Sequence, residues 1–211
     1  MWRMAPADDM FSIYRALWER AEKQGALIRY NGLMADGEGS FYPAPGRNGI
    51  ATPTIEIGRP YYDRIDAPSQ SRNASGQEKL PAPDLLCETA TLAHEVGHFL
   101  SWKERTSPDE YKEYFNAAKV RDMAWDGVPS TDDVDAYNDG IRAAAQSVLT
   151  SQQIERILAE EQLAWDIGRE VLVDLGFDEW TYYARRESDG LYFHRYRLGV
   201  EALRPEKSVS T

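Results

Sequence analysis

A single cysteine, Cys87, stands in a chain of 211 residues. No internal disulfide framework is possible, and a chain of this size needs none, since it buries roughly 70% of its unfolded surface. A lone thiol fits a reducing compartment, and a cytoplasmic location is the expectation. Long apolar runs are also missing: nothing approaches the ~18 residues that would suggest a membrane span. The opening stretch, MWRMAPADDMFSIYRALWERAEK, carries charge throughout and lacks the apolar core of a signal peptide. No membrane partner is therefore expected. Positive charge is scarce, with 24 Lys and Arg against 35 Asp and Glu and a net charge of −11. An acidic surface repels phosphate backbones, so nucleic acid is not an expected partner. The plainer reading of that acidity is solubility. Scarcest of the chemically versatile residues after cysteine is histidine, with three in the chain. Two of those three are spaced four apart.

Helical periodicity is clear from about Asp8 to Gln24, where Phe11, Tyr14, Leu17, Trp18 and Ala21 recur and Gly25 suits a stop. ALIRYNG reads as a short strand with a turn signal. MADGEGSFYPAPGRNGIATP is rich in Gly and Pro and reads as loop, with room for a hairpin. Thr54 to Gly58 alternates as a second strand, and residues 66–83 are a polar connection. Helices then dominate. Asp84 is placed to cap one over Leu85–Trp102. Ser107 to Glu110 forms a capping box opening one that runs to about Met123. A third covers about Asp132 to Gln146. Thr150 with Gln153 opens a long helix over about 151–175, stopped by Gly176. In the tail, helix is expected near Glu179 to Arg186, and Tyr192 to Leu203 has no clear assignment. Helix, strands, then helices argues an α+β fold.

The helix from Leu85 contains His94-Glu95-Val96-Gly97-His98. On a helix, positions four apart lie about 40° around and about 6 Å along the axis, so both imidazoles can reach one metal ion. Glu95 points about 100° away from His94, too far round for a good ligand but well placed to hold a metal-bound water. Leu85, Leu92, Val96, Phe99 and Leu100 cluster on one side. Cys87, Ala90, Gly97 and Ser101 make the histidine side small, as an open face on a cleft would be. Room for a metal or substrate would explain Gly97, which costs about 0.8–1 kcal/mol in a helix interior. The bland alternative is a solvated helix surface.

Catalytic zinc takes three protein ligands and keeps one position open. In the long helix the apolar stripe is Ile154, Ile157, Leu158, Ala164, Trp165, Gly168, Leu172 and Leu175. Glu161 falls mid-stripe, where a carboxylate is costly unless paired or metal-bound. Glu160 falls about 100° aside, toward solvent. A buried ion pair with an arginine is the competing account of Glu161. Glu104 has the spacing of an H-E-x-x-H-x-x-G-x-x-H third ligand, but Ser101 stands where that motif needs glycine. His194 is a more distant candidate. Cys87 lies two turns before His94, about 10 Å along the axis, and reads as a packed residue.

LAHEVGHFL followed by EEQLAWDIGREVL resembles the small gluzincin-type zinc peptidases, above all the ImmA/IrrE-like group, and the second phrase also resembles the peptidase domain of antirestriction proteins. The resemblance covers about Asp8 to Leu175. It implies a zincin-like fold, predominantly helical, with a small sheet before the HExxH helix. It also implies a peptidase domain over residues 1–176, with 177–211 an extension packed on it. In that group two motif histidines and a downstream glutamate bind Zn2+ and the motif glutamate activates water, which implies His94, His98, Glu161 and Glu95 here. The chain departs from the group in the long insertion between His98 and Glu161 and in its tail; some members carry a fused helix-turn-helix domain, and none is read in this sequence. The expected activity is zinc-dependent hydrolysis of a peptide or protein substrate. Tyr183, Tyr192, His194 and Tyr196 are candidate donors to a developing oxyanion, each also readable as a packed or surface residue. The strand at Thr54–Gly58 is a candidate edge for pairing with extended substrate. The competing class is a metal-binding regulatory or anti-repressor module without turnover, against which an intact Glu95 speaks. A purely structural zinc site would want a fourth protein ligand, and the sequence offers no obvious one.

Overall fold

The structure is a computed structural model, and it describes residues 7–31, 34, 38–43, 52–58, 83–105, 108–131 and 133–201. Among these the fold is α+β and mostly helical. The order is α1 (Ala7–Lys23), β1 (Leu27–Tyr30), β2 (Gly39–Tyr42), β3 (Thr54–Ile57), α2 (Pro83–Glu104), α3 (Pro108–Asp126), α4 (Val134–Val148), α5 (Ser151–Asp174) and α6 (Trp180–Arg197). The polar connection over 66–83 falls almost wholly outside the described residues. So do the capping box at Ser107, the side chain of Asp84 and the tail beyond residue 201. No helix among the described residues is long and apolar enough to cross a membrane.

The chain divides into two compact units: Met1–Arg105 with Leu163–Arg186, and Thr106–Gln162 with Glu187–Thr211. Both α5 and α6 contribute to each unit.

In the first unit, α1 buries Met10, Ile13, Tyr14, Leu17 and Ala21, a stripe at helical spacing. Phe11 and Trp18, expected on that stripe, sit at its margin; Trp18 lies instead between the rings of Tyr14 and Tyr30. The sheet has the order β1-β3-β2, with β1 parallel and β2 antiparallel to β3. This corrects the expectation that Thr54–Gly58 is an edge: β3 is paired on both sides, so its backbone is already satisfied. Every β3 residue is buried, with Ile55 and Ile57 fully so. The buried Glu56 is met on one carboxylate oxygen by Arg29, at 2.7 Å from Nε, and on the other by the amide of Asn31 at 2.8 Å. Arg29 stands directly opposite Glu56 in the β1–β3 register, which keeps an acid tolerable on a central strand. α1, β2 and β3 all pack on α2.

α2 is consequently buried on all sides rather than on one. From Glu88 to Ser101 no residue is exposed, polar Glu88, Thr89, Thr91 and Ser101 included. The open histidine face expected from the small residues does not exist. α5 ends as the sequence suggests: Gly176 has φ +79°, and the Phe177 N–H donates to the Leu172 carbonyl at 3.0 Å.

In the second unit, α3 packs on α4. Ala117, Ala118, Ile141, Ala145, Ile157, Leu191 and Leu198 form its buried apolar set. Thr150 and Gln153 make the reciprocal capping box at the start of α5. The Thr150 N–H donates to Gln153 Oε1 at 2.9 Å and the Gln153 N–H to Thr150 Oγ1 at 3.3 Å. Asp133 caps α4 by accepting from the N–H groups of Asp135 and Ala136. α6 runs unbroken from Trp180 to Arg197, beyond the helix expected near Glu179 to Arg186; burial of Tyr183 and Leu191 along it offsets the low helix propensity of Gly190.

Candidate metal centre

Two alanines and two glycines set the position of the histidines. A Cβ on Gly97 would lie 2.0 Å from the Ala164 carbonyl oxygen, and one on Gly168 would lie 2.5 Å from the Ala93 carbonyl oxygen. Ala93 and Gly97 are four apart on α2; Ala164 and Gly168 are four apart on α5. The two helices therefore cross with backbone against backbone, where side chains would hold ordinary helices 8–10 Å apart. Gly97 is corrected accordingly: the space it leaves is filled by α5 and not by a metal or substrate.

The crossing turns His94 toward α5. Its ring stacks on Trp165 with centroids 4.4 Å apart and planes at 24°, and the His98 ring lies 4.6 Å away edge-on. Trp165 is itself braced, since the buried Tyr183 hydroxyl donates to its carbonyl at 2.7 Å. Tyr183 thus has a task in the core, which removes it from the oxyanion-donor candidates. Tyr192 and Tyr196 stack on one another at 6.2 Å, with Arg142 over Tyr196.

Glu161 lies one turn before Trp165 on the same face of α5, two residues ahead of the stretch assigned to the first unit. Ligand atoms of His94, His98 and Glu161 all lie within 4.8 Å of one another, and all three residues are buried. Among the described residues this is the cluster of three His, Cys, Asp or Glu side chains able to share an ion. Two imidazole nitrogens and one carboxylate oxygen are a donor set zinc accepts; around an ion with ~2 Å bonds they would stand about 3.3 Å apart, so small side-chain rotations close the set. The residues present fit the group.

The remaining candidates separate by position. Glu104, the last residue of α2, is exposed and outside the cluster. Glu160 requires a correction: it is 4% exposed, as buried as Glu161, and not turned to solvent. On α3 the buried Tyr114 is close enough to feel both carboxylates. Burial first, then Glu161, push the Tyr114 hydroxyl well above the usual phenol range, and Glu160 adds to the shift. Burial alone therefore does not choose between the two glutamates; the approach to the histidines does. Cys87 is half-buried and faces Tyr182, whose pKa is pushed up to about 12 by burial and then by the thiol.

Glu95 points elsewhere, as its 100° offset requires. It is buried, and a Cβ on Gly39 would meet its Cγ at 2.7 Å and its Oε1 at 2.9 Å. The carboxylate thus lies against the first residue of β2, at a position only glycine leaves open.

Two further side chains surround Glu161 in the second unit. Arg121 Nη1 is 3.7 Å from Oε1, and His194 Nε2 is 3.5 Å from Oε2. His194, a candidate ligand and donor by sequence, is not in the three-residue cluster but abuts its carboxylate. Arg121 escaped the sequence reading. Its signal was the spacing of Tyr114, Ala117, Ala118, Arg121 and Trp125, which sets a cation into the buried stripe of α3 much as Glu161 sits in that of α5.

The three glutamates can be ranked by zinc binding. Glu161→Ala should weaken zinc about a hundredfold or more, while Glu160→Ala and Glu104→Ala should stay within a few-fold of wild type. Calorimetric titration of the three metal-free variants checks this order, and loss of binding in Glu104→Ala would overturn the ligand set.

No protein family, curated protein or solved structure matches the chain.

Proposed function

We propose that this chain is a zinc-dependent metallopeptidase of the gluzincin type, zincin-like in fold and related to the ImmA/IrrE-like group. The observation that carries the reading is the meeting of His94, His98 and Glu161, with Glu95 on the intervening turn. His94, His98 and Glu161 would hold the ion. When bound, zinc lowers the pKa of a coordinated water toward ~7 and polarises the scissile carbonyl.

The chain's own groups supply the rest. Glu95 takes the proton from the attacking water and returns it to the leaving amine nitrogen. Its burial against Gly39 keeps competing solvent away from that carboxylate. Trp165 and Tyr183 fix the His94 ring. His194 is favoured over the three tyrosines as the donor to the oxyanion, because its Nε2 lies 3.5 Å from Glu161 of the cluster. The substrate is an extended peptide or protein segment. β2 replaces β3 as its docking edge, since among the described residues β2 pairs with β3 alone and its first residue, Gly39, lies against the Glu95 carboxylate. The lone Cys87 is consistent with a cytoplasmic setting.

Elemental analysis of untagged protein tests the reading. It should give about one zinc per chain, lost in His94→Ala and in His98→Ala. Protein that takes up no transition metal when zinc is supplied would overturn it. Protein that binds zinc yet cleaves nothing across a broad peptide library would support the regulatory module instead.

A further inference from the structure

We propose that Arg121 is the positioning residue for Glu161, holding one carboxylate oxygen so that the other is presented to the metal; this rests on the metal-site reading above. Glu161 is 4% exposed and carries a charge that its surroundings must neutralise before any ion arrives. Arg121 is placed to do so. Its side chain is 11% exposed and its Nη1 lies 3.7 Å from Glu161 Oε1. The guanidinium is itself clamped: Nε donates to Asp122 Oδ1 at 2.9 Å, and the group lies 4.8 Å from the Trp125 ring centre. Trp125 is shared with a second guanidinium, that of Arg197 at 5.5 Å. A planar fork anchored by a carboxylate and an aromatic face is stiffer than a lysine ammonium at the same place.

His194 occupies the neighbourhood of the other oxygen, Oε2, at 3.5 Å. The two oxygens of Glu161 are therefore not equivalent. One faces a permanent cation that no metal displaces without cost. The other faces a neutral-or-charged imidazole that yields more readily. Arg121 thereby selects which oxygen is available and fixes the torsions of the Glu161 side chain. Outer partners of metal ligands act in this way, and losing one typically weakens binding about 10–100-fold.

The test uses the full chain and zinc itself. Dissociation constants are measured by competition with a chromophoric chelator for wild type, Arg121→Met, Arg121→Lys, Glu161→Ala and the Glu161→Ala/Arg121→Met pair. Cobalt-substituted samples report ligand geometry through their visible absorption. Arg121→Met should weaken zinc about 10–100-fold and shift the cobalt spectrum, with Arg121→Lys between it and wild type. In the Glu161→Ala background the same change should cost no more than about twofold, because the residue it acts through is gone. Wild-type affinity in Arg121→Met overturns the inference, as does an equal loss with and without Glu161. Should Arg121→Met not fold, the charge-retaining Arg121→Lys decides alone: an unchanged affinity and cobalt spectrum overturns it. Wild type that binds no zinc overturns instead the reading on which the inference rests.

Discussion

Glu95→Gln should leave zinc bound and the protein folded while cutting peptide cleavage about a thousandfold, within the range that a positioned general base contributes. The amide is nearly isosteric and still fits against Gly39. It offers no basic oxygen to take the proton from water, and its nitrogen cannot pass one on. The substitution therefore removes proton transfer and little else. Metal content, thermal unfolding and turnover measured on one preparation separate these effects. Equal cleavage by Glu95→Gln and wild type would mean that Glu95 is not the base.

Gly97→Ala should be damaging out of proportion to the single methyl it adds. Two forces of opposite sign act on it. Helix propensity favours alanine by about 0.8–1 kcal/mol. Against that, the new Cβ would stand 2.0 Å from a backbone oxygen of Ala164, which belongs to a helix and cannot swing aside as a long side chain would. Overpacking of a rigid core commonly costs 1–3 kcal/mol and sometimes more, so a net loss of about 3 kcal/mol is expected. For a chain of this length that lowers Tm by roughly 6–12 °C. Zinc affinity should fall as well, because separating α2 from α5 separates His94 and His98 from Glu161. Gly168→Ala should behave alike but more mildly, its nearest oxygen being 2.5 Å away. Differential scanning calorimetry with and without zinc reads both effects. A rise in Tm for Gly97→Ala would mean that propensity wins and that the helices do not touch there.

Much of this arrangement is visible in the sequence, and the reasons differ by element. Thr150 and Gln153 announce the start of α5 because a capping box is local chemistry, complete within four residues. Gly25 and Gly176 mark helix ends because each takes a positive φ. The candidate cluster is legible because H-E-x-x-H has fixed geometry on a helix and because a glutamate mid-stripe needs a reason. What was not legible is tertiary. Gly97 is surplus on α2 taken alone; its cause, Ala164, is 67 positions away. The burial of Glu160 is likewise not carried by the stripe of α5 taken alone. β2 carries no alternating pattern in GSFY, and its place is set by pairing with β3 rather than by its own residues. That same pairing moves β3 from the edge to the centre of the sheet.

The close crossing of α2 and α5 also bears on how such chains diverge. Ala93, Gly97, Ala164 and Gly168 build the crossing, while His94, Glu95, His98 and Glu161 are the residues proposed for the chemistry, and the two sets interleave residue by residue. They are nonetheless separable by mutation. A lineage that replaced both histidines would keep its A-x-x-x-G pair on each helix and hence its architecture. One that replaced either glycine would strain the crossing, with every residue of the metal cluster still in place. If the proposed activity were no longer selected, drift should therefore be tighter at the four small positions than at His94, His98 and Glu161. A descendant without the histidine motif would then remain readable as kin by two small-residue patterns.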